Sequence, residues 1–229
     1  MEATDKIAIS RTGGLPDPTL SRDSTAFLTI DMQYLDAHRD HGIGRSFTMD
    51  GCAEELEDYF TRVETVVTPN IVLLHNTCRS VGIPIIHVRI MGLAEDGSDF
   101  SWRFKELGYM VLPESLDSTF LPELEPHEGE LIVNKTTTGA FNSTGLDSIL
   151  RRTGTKTLIV AGVTTNSCVE TTVRDAGDRD YQVILVQDGC AAMTPEDHDA
   201  SLRFIHRNFA VVQSTVAVVQ QLLNISDAV

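Results

Sequence analysis

Short apolar runs rich in branched residues alternate along this chain with longer segments whose apolar positions recur every three or four residues. The first run, Thr25-Ala-Phe-Leu-Thr-Ile, ends in Asp31, and similar runs cover Ile83 to Arg89, Glu130 to Lys135, Thr157 to Gly162, Tyr181 to Asp188 and Ala210 to Gln213. Continuous apolar runs of this length predict strands buried on both faces. Between the first two, Leu56, Phe60, Val63, Val67, Ile71 and Leu74 repeat at helical spacing, which predicts a helix over Glu54 to Val81. Pro69 predicts a kink or break in it near Thr68, and Gly82 ends it. Further helices are expected from Ser143 or Thr144 to Arg152, from Cys168 to Asp178, from Thr194 to Arg207 and from Ser214 to Asn224.

This alternation predicts an α/β protein. Its form is a three-layer, doubly wound sandwich with a six-stranded, mainly parallel sheet and a switch point beside the first strand. Met32 to Gly44, which carries Gln33, Tyr34, Asp36, His38, Asp40 and His41, reads as a solvated polar loop after that strand. Met91 to Pro126 reads as a long loop with short helical pieces. Its Phe100, Trp102, Phe104 and Tyr109 suit either a pocket wall or a subunit contact. Residues 1–23 hold no periodicity and are expected to form an irregular arm, with 24–229 as a single domain.

The formal charge of −15 argues against nucleic acid or an anionic membrane as partner, and no apolar run is long enough to span a bilayer. The start of the chain shows no apolar signal-peptide core. Cys52, Cys78, Cys168 and Cys190 are widely spaced without C-x-x-C pairing. Free thiols in a cytoplasmic protein are therefore expected. No G-x-G-x-x-G follows the first strand and no P-loop motif occurs, so dinucleotide and P-loop chemistry are not expected.

The stretch Leu158 to Asp175 is the richest in chemistry. An apolar strand breaks at Gly162, a polar run Thr164-Thr-Asn-Ser167 follows, and Cys168 comes where helical spacing begins. A thiol at the positive end of a helix is expected to have a lowered pKa and to act as a nucleophile. A lone cysteine is also commonly a small buried residue. Asp31 and Lys135 lie at the carboxyl ends of their own strands, and parallel strands bring all three residues to one edge of the sheet.

With its motifs Ile30-Asp31-Met32-Gln33, Val133-Asn134-Lys135, Gly139-Ala140-Phe141, Gly162 to Val169 and Asp188-Gly-Cys-Ala-Ala192, the chain resembles the isochorismatase-like cysteine hydrolases from about Thr25 to Val219. The resemblance implies a Rossmann-like, six-stranded fold in a homodimer or homotetramer, and departures from the metal-binding members leave no metal or other cofactor expected. It implies a catalytic triad of Asp31, Lys135 and Cys168, a cis peptide before Thr164, and an oxyanion hole from the N–H groups of Thr164 and Cys168. Its nicotinamidases carry an Asp-x-His metal site, whereas the second strand here reads Ile86-His87-Val88-Arg89 without the expected continuation, and Asp36, His38, Asp40 and His41 suit a solvated loop better than a metal site.

A retained cysteine points to C–N hydrolysis of a small ureido or amide substrate (biuret, triuret, N-carbamoyl or ureidoacrylate type). The alternatives are a vinyl-ether hydrolase and a catalytically silent oligomeric binding protein. Gln33, Arg89, Phe141, Asn142 and Thr165 are the candidate substrate contacts, Gln33 and Asn142 because an amide donates and accepts as a urea does. Arg89 could clamp a carboxylate or pair with a neighbouring acid. Phe141 and Tyr34 suit a pocket wall or the core, and His87 and His198 are expected to be structural.

Overall fold

The computed structural model describes residues 14–226, so residues 1–13 of the expected arm lie outside the described residues. Six strands form one sheet: β1 Thr25–Ile30, β2 Ile85–Ile90, β3 Leu131–Lys135, β4 Thr157–Val163, β5 Gln182–Ala191 and β6 Val211–Gln213. Their order is β3-β2-β1-β4-β5-β6, and every neighbouring pair is parallel. This is the expected doubly wound sheet. The chain winds outward in both directions from β1, so the crevice between the ends of β1 and β4 is the switch point.

Both faces are covered, which is why the strand sequences run apolar without alternation. All residues of β1 and β4 are buried. Within β1, Ala26, Leu28 and Ile30 join the core beneath the helices Leu146–Arg152 and Glu170–Gly177. Phe27 points to the other side, among Tyr59, Val63, Ile71, Leu74 and Cys78. No helix among the described residues is long and apolar enough to cross a membrane.

One local expectation is corrected. Residues 32–44 do not form a solvated loop: helices occupy Tyr34–Ala37 and Gly42–Met49, with Leu35, Asp36, Ala37 and Ile43 buried. Gly42, at φ 45°, lets the second helix start against the first, where a Cβ would fall 2.0 Å from the Leu35 carbonyl oxygen. The long helix is continuous through Pro69, and its irregularity falls in the turn just before Thr68. A 3₁₀ turn Ala53–Leu56 leads into Glu57–Arg62, a wide π turn Val63–Val67 and then Thr68–Val81, capped by left-handed Gly82.

Gly162 fixes the approach of β4 to β1. Its φ is +126°, and a Cβ there would lie 2.0 Å from the Ile30 carbonyl oxygen, next to Asp31. Gly162→Ala is therefore expected to cost roughly 3 kcal/mol of stability in urea unfolding. A loss below about 1 kcal/mol would show that the two strands can part there without consequence.

Candidate active site

Asp31 is the first residue past β1. Its N–H still donates to the Val88 carbonyl at 2.9 Å, but its φ of 52° turns the residue off the strand. Lys135 ends β3, two strands away, and its long side chain reaches back across β2. Its Nζ lies 2.9 Å from Asp31 Oδ2, with both side chains fully buried. The same ammonium donates to Cys168 Sγ at 3.4 Å and to the Thr137 carbonyl at 3.1 Å, and sits 5.6 Å from the centre of the Phe104 ring. Neither carboxylate oxygen of Asp31 has a directed hydrogen bond among the described residues, so the Lys135 contact is chiefly charge against charge.

Cys168 follows β4 in a wide turn, Thr165–Val169, before the helix Glu170–Gly177. The peptide between Val163 and Thr164 is cis. The Thr164 carbonyl accepts from the N–H groups of Ser167 (3.1 Å) and Val169 (3.2 Å), passing over that of Cys168. The Thr172 hydroxyl donates to the Cys168 carbonyl at 2.7 Å and accepts from the Ala140 N–H at 3.1 Å, tying the turn to the segment after β3.

Burial dominates the proton balance. It pushes the Asp31 carboxyl up, and the Lys135 charge pulls it only part of the way back. Burial also works against the Lys135 charge, but Asp31 and Cys168 outweigh it, and the lysine stays a cation with a raised pKa. The Cys168 thiol is pushed far up by burial, with Asp31 and Asp36 adding to the effect against Lys135. Burial and the two carboxyl groups thus act against the acidification expected of a thiol at a helix end.

Cys168, 8% exposed, opens on a cavity of about 220 Å³. The other lining residues are Asp36, Ile90, Arg103, Phe104, Tyr109, Thr164, Asn166, Ser167, Met193 and Asp197. The long 91–126 segment thus supplies a wall, as one of its two readings held. The side chains expected to touch substrate are placed elsewhere.

Gln33 is fully buried; its Oε1 accepts from the Ile90 N–H at 2.6 Å, and its Nε2 donates to the carbonyls of Ile90 (3.0 Å) and Asp117 (2.8 Å). Arg89 donates to Asn134 Oδ1 at 2.8 Å and to the Ser118 carbonyl at 2.9 Å, beside the Phe120 ring. Phe141 packs in the core against Tyr181 and the Arg179 guanidinium. Asn142 is exposed, and the Thr165 hydroxyl is buried 2.8 Å from His198 Nδ1. Tyr34 stacks on His38 away from the cavity. Gln33, Arg89 and Thr165 are consumed by backbone and neighbouring side chains, a demand that residue type does not reveal.

His87 is buried with Nε2 2.8 Å from Glu130, and His198 also contacts Arg62, so both serve structural contacts as expected. No group of three or more His, Cys, Asp or Glu side chains among the described residues could hold a metal ion. The lining residues that sequence reasoning missed are Asp36, Ile90, Arg103, Asn166, Ser167, Met193 and Asp197. Asn166 and Ser167 were signalled by the polar run before Cys168; Asp36 was obscured by its polar neighbours.

The model of the isochorismatase domain matches residues 25–217. The chain belongs to the isochorismatase family. It is similar to the uncharacterized isochorismatase family protein YwoC of Bacillus subtilis, at 37% identity over 103 residues, covering 45% of this chain and 54% of that protein. It is similar to Nicotinamidase 3 of Arabidopsis thaliana, at 29% over 163 residues, covering 68% and 79% respectively. A third relative is the ureidoacrylate amidohydrolase RutB of Agrobacterium fabrum, at 29% over 124 residues, covering 52% and 54%. The matched stretch thus spans about half the length of YwoC and of RutB. Among solved structures, a cysteine hydrolase from Pseudomonas syringae superposes with a TM-score of 0.75 at 25% identity, covering 92% of this chain and all of that one.

Lys135→Met would leave a carboxyl group buried without its cation. It is expected to cost about 3–5 kcal/mol in urea unfolding at pH 7. Adding Asp31→Asn should return about 2 kcal/mol, because the double variant holds no buried charge; equal losses in the single and double variants would show that the two groups are not coupled. For Cys168, absorbance at 240 nm, wild type minus Cys168→Ala, should show no thiolate step below about pH 9. A step between about pH 6 and 8 would mean that the helix end, and not burial, governs the thiol.

Proposed function

We propose that this isochorismatase-family protein is a cysteine amidohydrolase that cleaves a C–N bond in a small ureido or amide substrate. The observation that carries the reading is the chain of contacts at the cavity floor, with Cys168 Sγ 3.4 Å from Lys135 Nζ and that ammonium 2.9 Å from Asp31. Similarity to RutB, a ureidoacrylate amidohydrolase, supports the substrate class.

Cys168 Sγ bonds to the substrate carbonyl carbon while its proton passes to Asp31, whose carboxylate is made a stronger base by burial. The carbonyl oxygen becomes an oxyanion, held by the N–H groups of Thr164 and Cys168. The C–N bond then breaks as Asp31 returns the proton to the departing nitrogen. Water attacks the resulting thioester or thiocarbamate, giving a proton to Asp31, and the proton goes back to Sγ as the acyl group leaves. Lys135 keeps its charge throughout and steadies both the carboxylate and the developing thiolate. A sulfur nucleophile of this kind calls for no metal or organic cofactor. We read residues 24–229 as one hydrolase domain of a cytoplasmic homodimer or homotetramer. A vinyl-ether hydrolase acting on a dicarboxylate fits less well, since Arg103 stands against Asp36 and Asp197 on the cavity wall.

Ammonia release is to be measured against biuret, triuret, N-carbamoylsarcosine, ureidoacrylate and nicotinamide. Turnover of at least one is expected, falling by more than about 1,000-fold in Cys168→Ala. Activity that survives in Cys168→Ala would rule out the covalent route.

A further inference from the structure

The turn that carries Cys168 is held from outside as well as by its own backbone. Helix Pro195–Ile205 lies against the turn Thr165–Val169 and reaches it with two side chains one helical turn apart. The Ser201 hydroxyl donates to the Glu170 carboxylate and lies 3.4 Å from the Thr165 carbonyl. His198 Nδ1 lies 2.8 Å from the Thr165 hydroxyl oxygen, and its Nε2 lies 3.1 Å from Arg62 Nη2. Thr165 is fully buried and His198 nearly so.

The donors and acceptors of this chain allow one assignment. A guanidinium has N–H groups only, so His198 Nε2 accepts from Arg62. A neutral imidazole with a bare Nε2 carries its proton on Nδ1, and that N–H donates to the Thr165 hydroxyl. The other tautomer, or a protonated ring, would turn an N–H against the guanidinium. Burial, with the Arg62 charge, holds the His198 pKa down to about 4 against the opposing pull of Asp199, in keeping with a neutral ring. Arg62 is itself fixed, because its Nε donates to the Cys190 carbonyl at 3.0 Å and its Nη2 to the Gln187 carbonyl at 3.2 Å. Cys190 pairs with Gly162, so the chain of bonds starts on the strand beside β4 and ends on the turn that follows β4.

We infer that His198 is a positioning residue for the nucleophile: as the neutral Nδ1–H tautomer between Arg62 and Thr165, it fixes the turn that presents Cys168 Sγ and the N–H groups of Thr164 and Cys168 to the substrate carbonyl, a role that rests on the amidohydrolase reading for the reaction. His198 touches no reacting atom. It acts through Thr165, which is next to one proposed oxyanion donor and three residues before the other. A misplacement of about 1 Å at a reacting group can cost about 100-fold in rate.

The test is a double-mutant cycle on a ureide that the wild type hydrolyses, with kcat and KM measured at pH 7. His198→Gln keeps an acceptor for Arg62 but loses the donor at the Nδ1 position, and Thr165→Val removes the hydroxyl with little change of shape. Each is expected to lower kcat at least about tenfold with KM within about threefold. The double variant should fall no more than about threefold below the lower single, because both changes remove the same bond. His198→Asn, which keeps an N–H near the Nδ1 position, should restore kcat to within about fivefold of wild type. Single losses below about tenfold, or losses that multiply in the double variant, overturn the inference. Thr165→Val with Thr165→Ser as its rescue supplies the comparison should the glutamine variant not fold.

Nitrogen-15 NMR of histidine-labelled protein reads the tautomer without turnover. The His198 signal, assigned by its loss in His198→Asn, is expected to show a protonated Nδ1 and a bare Nε2 near neutral pH, and an Nε2–H ring overturns the inference. Failure of the amidohydrolase reading is seen separately, as ureide hydrolysis that is absent in wild type or survives in Cys168→Ala. The rate of Cys168 alkylation by iodoacetamide then replaces kcat in the same cycle: equal changes in the single and double variants support the positioning role, and changes that multiply overturn it.

Discussion

The contact between Asp31 and Lys135 is the constraint around which the site is built. Two opposite charges sit 2.9 Å apart with no solvent exposure, and either one alone would carry a penalty of several kcal/mol. The pair can form only if the ends of β1 and β3 face the same side of the sheet, with one strand between them. The order β3-β2-β1-β4 provides this, and β4 delivers Cys168 from the opposite side of β1. Gly162 is part of the same geometry, since the absence of a Cβ lets β4 close on the carbonyl of Ile30, next to Asp31.

The desolvation that makes the ion pair necessary also decides where the protons rest. Asp31 and Cys168 are both pushed up by burial, and the Lys135 charge opposes both shifts. A helix end beside a cysteine suggests a standing thiolate, but the local backbone is a wide turn and the sulfur lies among carboxyl groups. In the proposed reaction Cys168 starts as a thiol and ionises as the substrate carbonyl arrives. Such a site needs no permanently exposed anion and keeps its reactive form for the bound substrate.

This arrangement explains which parts of the molecule were legible in the sequence. Strands buried on both faces leave long apolar runs, and the half-exposed edge strands β3 and β6 were short apolar runs of the same kind, so all six were visible, and the carboxyl ends of β1, β3 and β4 named Asp31, Lys135 and Cys168 as neighbours. What the runs could not show was how polar groups at those ends are used. Gln33 has the donors and acceptors of a urea partner, but an amide side chain also imitates a peptide, and here it joins Ile90 to Asp117. Arg89 likewise serves Asn134 and Ser118. Asp36 errs in the other direction: polar neighbours made it look solvated, while Leu35, Ala37 and Ile43, packed beside it, take its helix into the interior. Sequence pattern reports the average environment of a segment, and a functional side chain is often the exception within it.

The long segment after β2 can now be assigned a mechanical role. It is fastened to the reacting edge, since the Met91 N–H donates to the Lys135 carbonyl at 3.2 Å and the Ser101 N–H to the Thr136 carbonyl at 3.1 Å. Farther along, the Gly92 N–H donates to the Val111 carbonyl at 2.9 Å, closing the segment on itself, and the buried Gln33 amide holds the Asp117 carbonyl. Phe104 and Tyr109 are therefore presented from a tethered wall, with the Phe104 ring facing the Lys135 ammonium. A wall fastened at several points along its length favours a preformed cavity over one assembled by closure, because opening it would break backbone hydrogen bonds at the active edge itself. A substrate would then be discriminated by fixed groups and by a volume of about 220 Å³.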